Sequence, residues 1–200
     1  MIIIYDTETT GLPLWGEPSE HPDQPRIVQL AALLTDGDGS KQASMDLLIR
    51  PDGFTIPKEA TEIHGITTEQ ASACGVPIVD ALTVFFGLWR CADLRIGHGQ
   101  SFDERMVRIE MKRPGAQGFG LAPDDWKAGQ TYCTMNKSKP ILELPPTDKM
   151  IAAGRRGFKV PKLSEAYEHF IGKAMVDAHD AMGDVIATLA VYLKLKEQAA

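Results

Sequence analysis

Asp6 and Glu8 stand one residue apart at the end of an apolar run, Ile2-Ile3-Ile4-Tyr5, and Gly11 ends the segment. In a β-strand successive side chains point to opposite faces, so both carboxylates project from one face. Like charges that close raise each other's pKa and resist joint ionisation unless a cation lies between them. Taken alone, the pair fits two solvated acids at a strand end equally well. Two further acids sit at element junctions: Asp103 directly after Phe102, and Asp184 five residues after His179. Four carboxylates with no Lys or Arg directly beside them would form a hard, oxygen-rich site suited to Mg²⁺ or Mn²⁺ rather than zinc. Two such ions, about 3.5–4 Å apart, can stabilise the attacking and leaving oxygens of a phosphoryl displacement. A neutral His179 beside them is suited to take a proton from the attacking water near pH 7.

That chemistry requires elements that bring the four acids together. The opening strand from Ile2 is followed by a second apolar run, Arg26 to Thr35, then the turn Asp36-Gly37-Asp38-Gly39 and a third strand, Ser44 to Arg50. These read as a meander with the opening strand central. Asp93 to His98 predicts a short buried strand, parallel to the first on its other side. The carboxyl-terminal ends of those two strands would then set Asp103 next to Asp6 and Glu8. Helices are expected over Pro57–Ile63, from an N-cap at Thr67, over Pro77–Arg90, over Phe102–Lys112 with Ser101 as cap, and over Leu163–Phe170. The last helix, Asp180 to Glu197, carries apolar residues at Val185, Ile186, Leu189, Ala190 and Leu193, with Asp180 as its N-cap. Phe85, Phe86 and Trp89 lie at helical spacing and read as core. His98 reads as structural, His21 and His169 as surface residues, and Trp126 has no assigned role. Residues 13–25 hold four prolines and read as a flap, and residues 114–162 read as irregular and basic. The pattern is an α/β or α+β domain with a mixed sheet and helices over both faces.

Composition narrows the class. The 200 residues, 44% hydrophobic and 24% charged, suit one soluble globular domain over residues 1–200. No run is long enough to span a membrane, and the first residues lack the features of a signal peptide. Three widely spaced cysteines fit reduced thiols in a cytoplasm. A net charge of -6 argues against broad, charge-driven nucleic-acid binding, though not against an enzyme whose acids are offset by metal ions. Between Lys137 and Lys162, however, seven basic residues face two acids, a local excess of +5. That stretch reads either as a solvated surface loop or as a phosphate-contacting patch.

The chain resembles the DEDD exonucleases of the histidine subclass, the DnaQ-like 3'-5' exonucleases typified by the proofreading epsilon subunit of bacterial replicative polymerase. The resemblance rests on Asp6-Thr7-Glu8-Thr9-Thr10-Gly11-Leu12, on Gly97-His98-Gly99-Gln100-Ser101-Phe102-Asp103, and on His179-Asp180-Ala181-Met182-Gly183-Asp184. Between them, Ala60-Thr61-Glu62-Ile63-His64-Gly65-Ile66-Thr67 is similar to the family's linking element near the terminal nucleotide. The likeness spans residues 2 to about 193, and the conjunction of motifs is highly specific where each alone is weak. It implies an α/β RNase H-like fold, a five-stranded mixed sheet in the order 3-2-1-4-5, with the fifth strand around Gln130 to Thr134. It also implies Asp6, Glu8, Asp103 and Asp184 as ligands of two divalent ions, Mg²⁺ or Mn²⁺, and His179 as general base. Thr7, Thr9, Thr10 and Leu12 would hold or wedge the 3'-terminal base, His64 and Ile66 would line its pocket, and Phe102 would pack near the sugar or base.

The activity so implied is hydrolysis of single-stranded or frayed DNA 3' ends to nucleoside 5'-monophosphates, in polymerase proofreading or repair with a DNA polymerase subunit as partner. One rival is an RNA-directed exoribonuclease of the same family. Another is a non-catalytic accessory subunit that grips nucleic acid or a polymerase. The chain departs from the family at Gly99, where the second motif usually carries Asn, so an amide is missing beside the site. Trp15, on the flap directly after the acidic strand, reads equally as a base-stacking residue and as an anchor of the flap.

Overall fold

The computed structural model describes residues 1–114, 119, 126, 129–176 and 179–198. Five strands form one sheet in the order β3-β2-β1-β4-β5. They are β1 Ile2–Thr9, β2 Ile27–Thr35, β3 Lys41–Leu48, β4 Leu94–Gly97 and β5 Gln130–Cys133. β1 to β3 form an antiparallel meander, and β4 and β5 run parallel to β1. The hairpin between β2 and β3 closes on Asp36, whose Oδ1 accepts the backbone N–H groups of Asp38 and Ser40.

Alternation along β1 sorts its side chains between two helical layers. Ile3 and Tyr5 pack with Leu82 and Phe86 of α3 (Ile78–Trp89) and Met106 of α4 (Ser101–Met111). Trp126 is fully buried there against the rings of Tyr5, Phe85 and Phe86, which gives a core role to a residue that carried none in sequence. Ile2 and Ile4 point the other way, onto Ala181, Val185 and Tyr192 of α8 (Ala181–Gln198). Each such side chain contributes roughly 1.5–3 kcal/mol on burial, so β1 is clamped from both faces and Asp6 and Glu8 continue the α8-facing row.

Between β3 and α3, α1 (Lys58–His64) ends on Gly65 at φ 75, a conformation glycine adopts freely. The hydroxyl of Thr67 accepts the N–H of Gln70 and starts α2 (Thr68–Cys74). Three sequence expectations are corrected. Ser101 is the first residue of α4 rather than its cap, because the turn already begins with the Phe102 N–H bonded to Gly99 C=O. Residues 114–162, expected to be irregular apart from a fifth strand around Gln130 to Thr134, hold that strand as β5 and also contain two helices, α5 (Thr134–Leu142) and α6 (Asp148–Ala152); Pro140 inside α5 had masked the first of them. Residues 115–118, 120–125 and 127–128 of that region lie outside the described residues. The buried arc of α8 is broader than one stripe: Ala181, Val185 and Tyr192 face the sheet, while Val191 and Leu195 pack with Ala166 of α7 (Leu163–Ile171). Ile186, expected in the stripe, is 56% exposed. All three cysteines carry free thiols, and no helix among the described residues is long and apolar enough to cross a membrane.

Candidate active site

The acids meet where β4 stops short. β4 pairs only with Ile2 to Ile4, so among the described residues the rest of β1 has no strand partner on that side. Asp103, in the first turn of α4, fills the gap: its Oδ1 accepts the Thr7 backbone N–H at 3.0 Å and the Thr7 hydroxyl at 2.8 Å. Thr7 thus positions an acid, a role its place between Asp6 and Glu8 did not reveal. On the other edge Glu8 lies opposite Gln29 of β2, and Asp6 opposite Ala31.

Gln29 joins this strand pair to α8. Its side-chain Nε2 donates to Asp46 Oδ1 at 2.8 Å and to Asp180 Oδ1 at 3.0 Å, and its Oε1 accepts the Ala181 N–H at 3.2 Å. Asp180 caps the helix, its Oδ2 accepting the Gly183 N–H at 3.0 Å. The helix start is therefore bolted to the sheet beside Glu8. Sequence reasoning missed Gln29, although a lone amide in a nine-residue strand otherwise apolar up to Thr35 must find a buried partner. His179, one residue before this cap, is exposed, adopts φ 69, and its N–H lies 3.4 Å from Asp184 Oδ1. A left-handed non-glycine residue costs about 1–2 kcal/mol.

The outcome is a compact group: ligand-type atoms of Glu8, His179 and Asp184 all lie within 4.8 Å of one another. Asp6 stands among the same charges. Burial, then Asp103, Asp184 and Glu8, hold its carboxyl well above the usual carboxylate range. Burial first, followed by Asp184 and Asp103, pushes Glu8 up to about 8. Burial raises Asp103 to about 7 against the Thr7 hydrogen bonds that lower it. Asp184 rises to about 6 through burial, with the His179 N–H and ring acting the other way. Four carboxylates that raise one another's pKa fit a divalent cation, which would relieve each of those repulsions at once.

Beside the acids opens a pocket of about 510 Å³ lined by Thr7, Thr9, Thr10, Leu12, His64 and Phe102, together with Gly11, Ile63 and His179. All but one of the residues expected to hold a terminal nucleotide border it. The exception is Ile66, which is buried among Val28, Ile56, Ala60 and Ala71 instead. Its contribution is indirect: the Ile66 N–H donates to His64 Nδ1 at 3.1 Å, leaving the ring proton on Nε2. Burial, first among the influences on His64, lowers its pKa and favours that neutral ring. Leu12 at the pocket mouth is 78% exposed.

Three remaining sequence features have definite places. His98 is structural, Nδ1 lying 2.9 Å from Thr134 Oγ1 and Nε2 3.0 Å from the Pro161 carbonyl. Gly99 adopts φ +89, a region open to Gly and, less freely, Asn, and a Cβ there would meet only Met135 at 3.7 Å. Glycine therefore preserves the turn while omitting the amide; Gln100 is 4% exposed and does not replace it in the pocket. The flap of residues 13–25 is organised by Gln24, whose amide bonds the backbone of Leu14 and Pro18. Trp15 projects from it at 59% exposure, which disfavours the anchoring role.

The RNase_T exonuclease family model matches residues 3–192. Among curated proteins, a DNA polymerase III subunit epsilon-like protein of Rhodobacter capsulatus is 24% identical over 197 residues, covering 96% of this chain and 23% of that protein. Three-prime repair exonuclease 1 of Bos taurus is 26% identical over 214 residues, covering 95% and 62%. The chain thus spans under two thirds of both relatives. Among solved structures, E. coli Exonuclease I in complex with a dT13 oligonucleotide superposes with a TM-score of 0.74 at 22% identity, over 98% of this chain and 40% of that one. A moderately thermophilic Exonuclease I from Methylocaldum szegediense gives a TM-score of 0.66 at 20% identity, with 98% and 40% covered. The sheet order and these likenesses make the fold RNase H-like, of the exonuclease type.

Proposed function

The chain belongs to the RNase_T exonuclease family, and from that premise we propose that it is a metal-dependent 3'-5' exonuclease acting on single-stranded or frayed DNA ends. The observation that carries the reading is the meeting of Glu8, His179 and Asp184 within 4.8 Å at the edge of a nucleotide-sized pocket. Asp6, Glu8, Asp103 and Asp184 are the residues that would hold two divalent ions, Mg²⁺ or Mn²⁺, supplying charge stabilisation at the scissile phosphate and a more acidic water. His179, exposed at the pocket rim, accepts the proton of the attacking water at a ring nitrogen. Thr7 keeps the Asp103 carboxylate aimed through its two hydrogen bonds. Phe102 and Ile63 offer apolar surface to the terminal nucleoside, and the His64 ring, kept neutral by its burial, lines the same wall. Leu12, standing out at the mouth, separates the terminal base from its neighbour. The products are nucleoside 5'-monophosphates. A proofreading role would pair this exonuclease with a polymerase, a reading that the epsilon-like relative supports.

Digestion of 3'-labelled single-stranded DNA, duplex DNA and RNA side by side, with Mg²⁺, Mn²⁺ or chelator, tests this reading. Metal-dependent mononucleotide release, fastest on single-stranded DNA, is expected. Faster release from RNA would transfer the activity to exoribonuclease, and no release with intact 3'-end binding would leave a non-catalytic module.

A further inference from the structure

The segment from α6 to α7 is a second charged surface, opposite in sign to the acid cluster. Arg155 and Arg156 are exposed and make no ion pair among the described residues, and neither do Lys149 and Lys162. Lys159 is the exception, its Nζ bonded to both oxygens of Glu165 at 2.5 and 2.6 Å. The nearby acids of the segment, Glu143 and Asp148, also point to solvent. Apolar side chains interleave with these cations: Phe158 is 41% and Val160 46% exposed. An exposed ring beside two unpaired guanidinium groups is the composition that binds single strands, with bases stacked on aromatics and phosphates on cations. In a chain of net charge -6 such a concentration of positive charge is not background.

Its place in the fold gives the surface a direction. β1, β4 and β5 are parallel, so their carboxyl-terminal ends share one edge of the sheet. The acids lie at the β1 end of that edge, and the Thr7–Leu12 turn and α1 wall the terminal-nucleotide pocket. Residues 155–162 return to the β4–β5 end, where the Pro161 carbonyl lies 3.0 Å from His98 Nε2 and the Lys159 N–H donates to Leu144 C=O at 3.0 Å. A strand whose last nucleoside fills the pocket and whose last phosphate lies at the acids must leave the site away from the pocket wall. The β4–β5 end of that edge, beyond the acids, is where the positively charged segment lies.

We infer that Arg155, Arg156, Phe158 and Lys162 form a track for single-stranded nucleic acid upstream of the 3' terminus, holding its phosphates on the cations and a base against Phe158. The inference rests on the exonuclease reading above for the direction of the strand, and it assigns to the basic segment the hold on longer substrates.

The experiment compares two substrates that differ only in upstream length. The p-nitrophenyl ester of thymidine 5'-monophosphate occupies the terminal pocket alone, whereas a 20-mer oligo(dT) would also cover the track. In the full chain, Arg155→Ala/Arg156→Ala and Phe158→Ala should each raise KM for the 20-mer about tenfold at unchanged kcat. Turnover of the ester should stay at the wild-type value. Removing two phosphate contacts should also flatten the log–log salt dependence of 20-mer binding by about 1.4. The charge-preserving Arg155→Lys/Arg156→Lys should bind nearly as wild type. Equal losses on ester and 20-mer, or wild-type KM for the 20-mer in both variants, would overturn the track. Anisotropy with a labelled 20-mer in Ca²⁺ decides the same point independently of turnover. A wild-type protein that hydrolyses neither substrate would strike the functional reading, while tenfold weaker binding by the variants would still support the track.

Discussion

β1 and the start of α8 both deliver chemical groups to one spot, yet they are built on opposite principles. β1 is buried on both faces and paired with β2 along its whole length, so Asp6 and Glu8 have no freedom to separate despite their repulsion. The α8 entrance carries an exposed His179 at φ 69, and beside the apolar packing of Ala181 its polar tie to the sheet is one amide side chain, Gln29. The lesson is a division of labour. The rigid strand stores an unfavourable charge cluster that a cation would relieve, and the held turn places the residue proposed to exchange protons with water.

Substitutions that remove one side of this contrast should have separable effects. The largest is expected for Asp6→Asn, which removes a charge proposed to bind metal. Activity should fall by about 10³-fold or more, while the metal-free Tm at pH 8 rises because a repelling carboxylate is gone. His179→Ala should lower turnover by about 10²–10⁴-fold and spare metal binding. His179→Gly should be just as inactive but more stable by about 1 kcal/mol, since glycine relieves the left-handed strain. Gln29→Leu should cost about 1–3 kcal/mol by stranding the Ala181 N–H and Asp180. Its kcat should fall more than KM rises, because the pocket lining stays while the α8 groups lose their alignment. The smallest effect is expected for Trp15→Ala: roughly 1–3 kcal/mol weaker single-strand binding, measured with Ca²⁺ in place of Mg²⁺, and no change in Tm, given 59% exposure. Unchanged affinity would remove the stacking role.

The contrast also has a pH dependence. Glu8, Asp103 and Asp184 are raised in the folded chain to about 8, 7 and 6, above their unfolded values. The stability they contribute is complete at acid pH, below the unfolded pKa values, and is lost progressively from there as pH rises through 6 to 8. Metal-free protein should therefore lose Tm across that window, and Mg²⁺ or Mn²⁺ should restore it most strongly at the alkaline end. A Tm independent of pH and metal would contradict the cluster.

Much of this architecture was legible in the sequence because it depends on short-range rules. The alternation in β1 placed Asp6 and Glu8 on one face, and the Asp36–Gly39 turn set the meander. The spacing of His179 and Asp184 put both at a helix start. The features that were not legible depend on contacts between distant segments. Thr7 binds Asp103 across 96 positions and Gln29 binds Asp180 across 151, and no local pattern announces either. Ile66 looked like a pocket residue from its motif, but the packing of α1 and α2 turned it inward and left His64 and Ile63 at the wall. Pro140 hid a helix whose stability comes from packing against α7 and α8 rather than from its own propensity.

The central claim is that two differently built halves close one divalent-metal cage, and titration of the metal-free protein with Mn²⁺ at pH 7 tests it most directly. Because Glu8 and Asp103 hold protons near that pH, binding should release protons as the ions enter. The account predicts two bound Mn²⁺ per chain with proton release, loss of both ions or of one in Asp6→Asn, and unaltered uptake in Trp15→Ala. Absence of Mn²⁺ binding at millimolar concentration, or uptake that Asp6→Asn leaves unchanged, would contradict it.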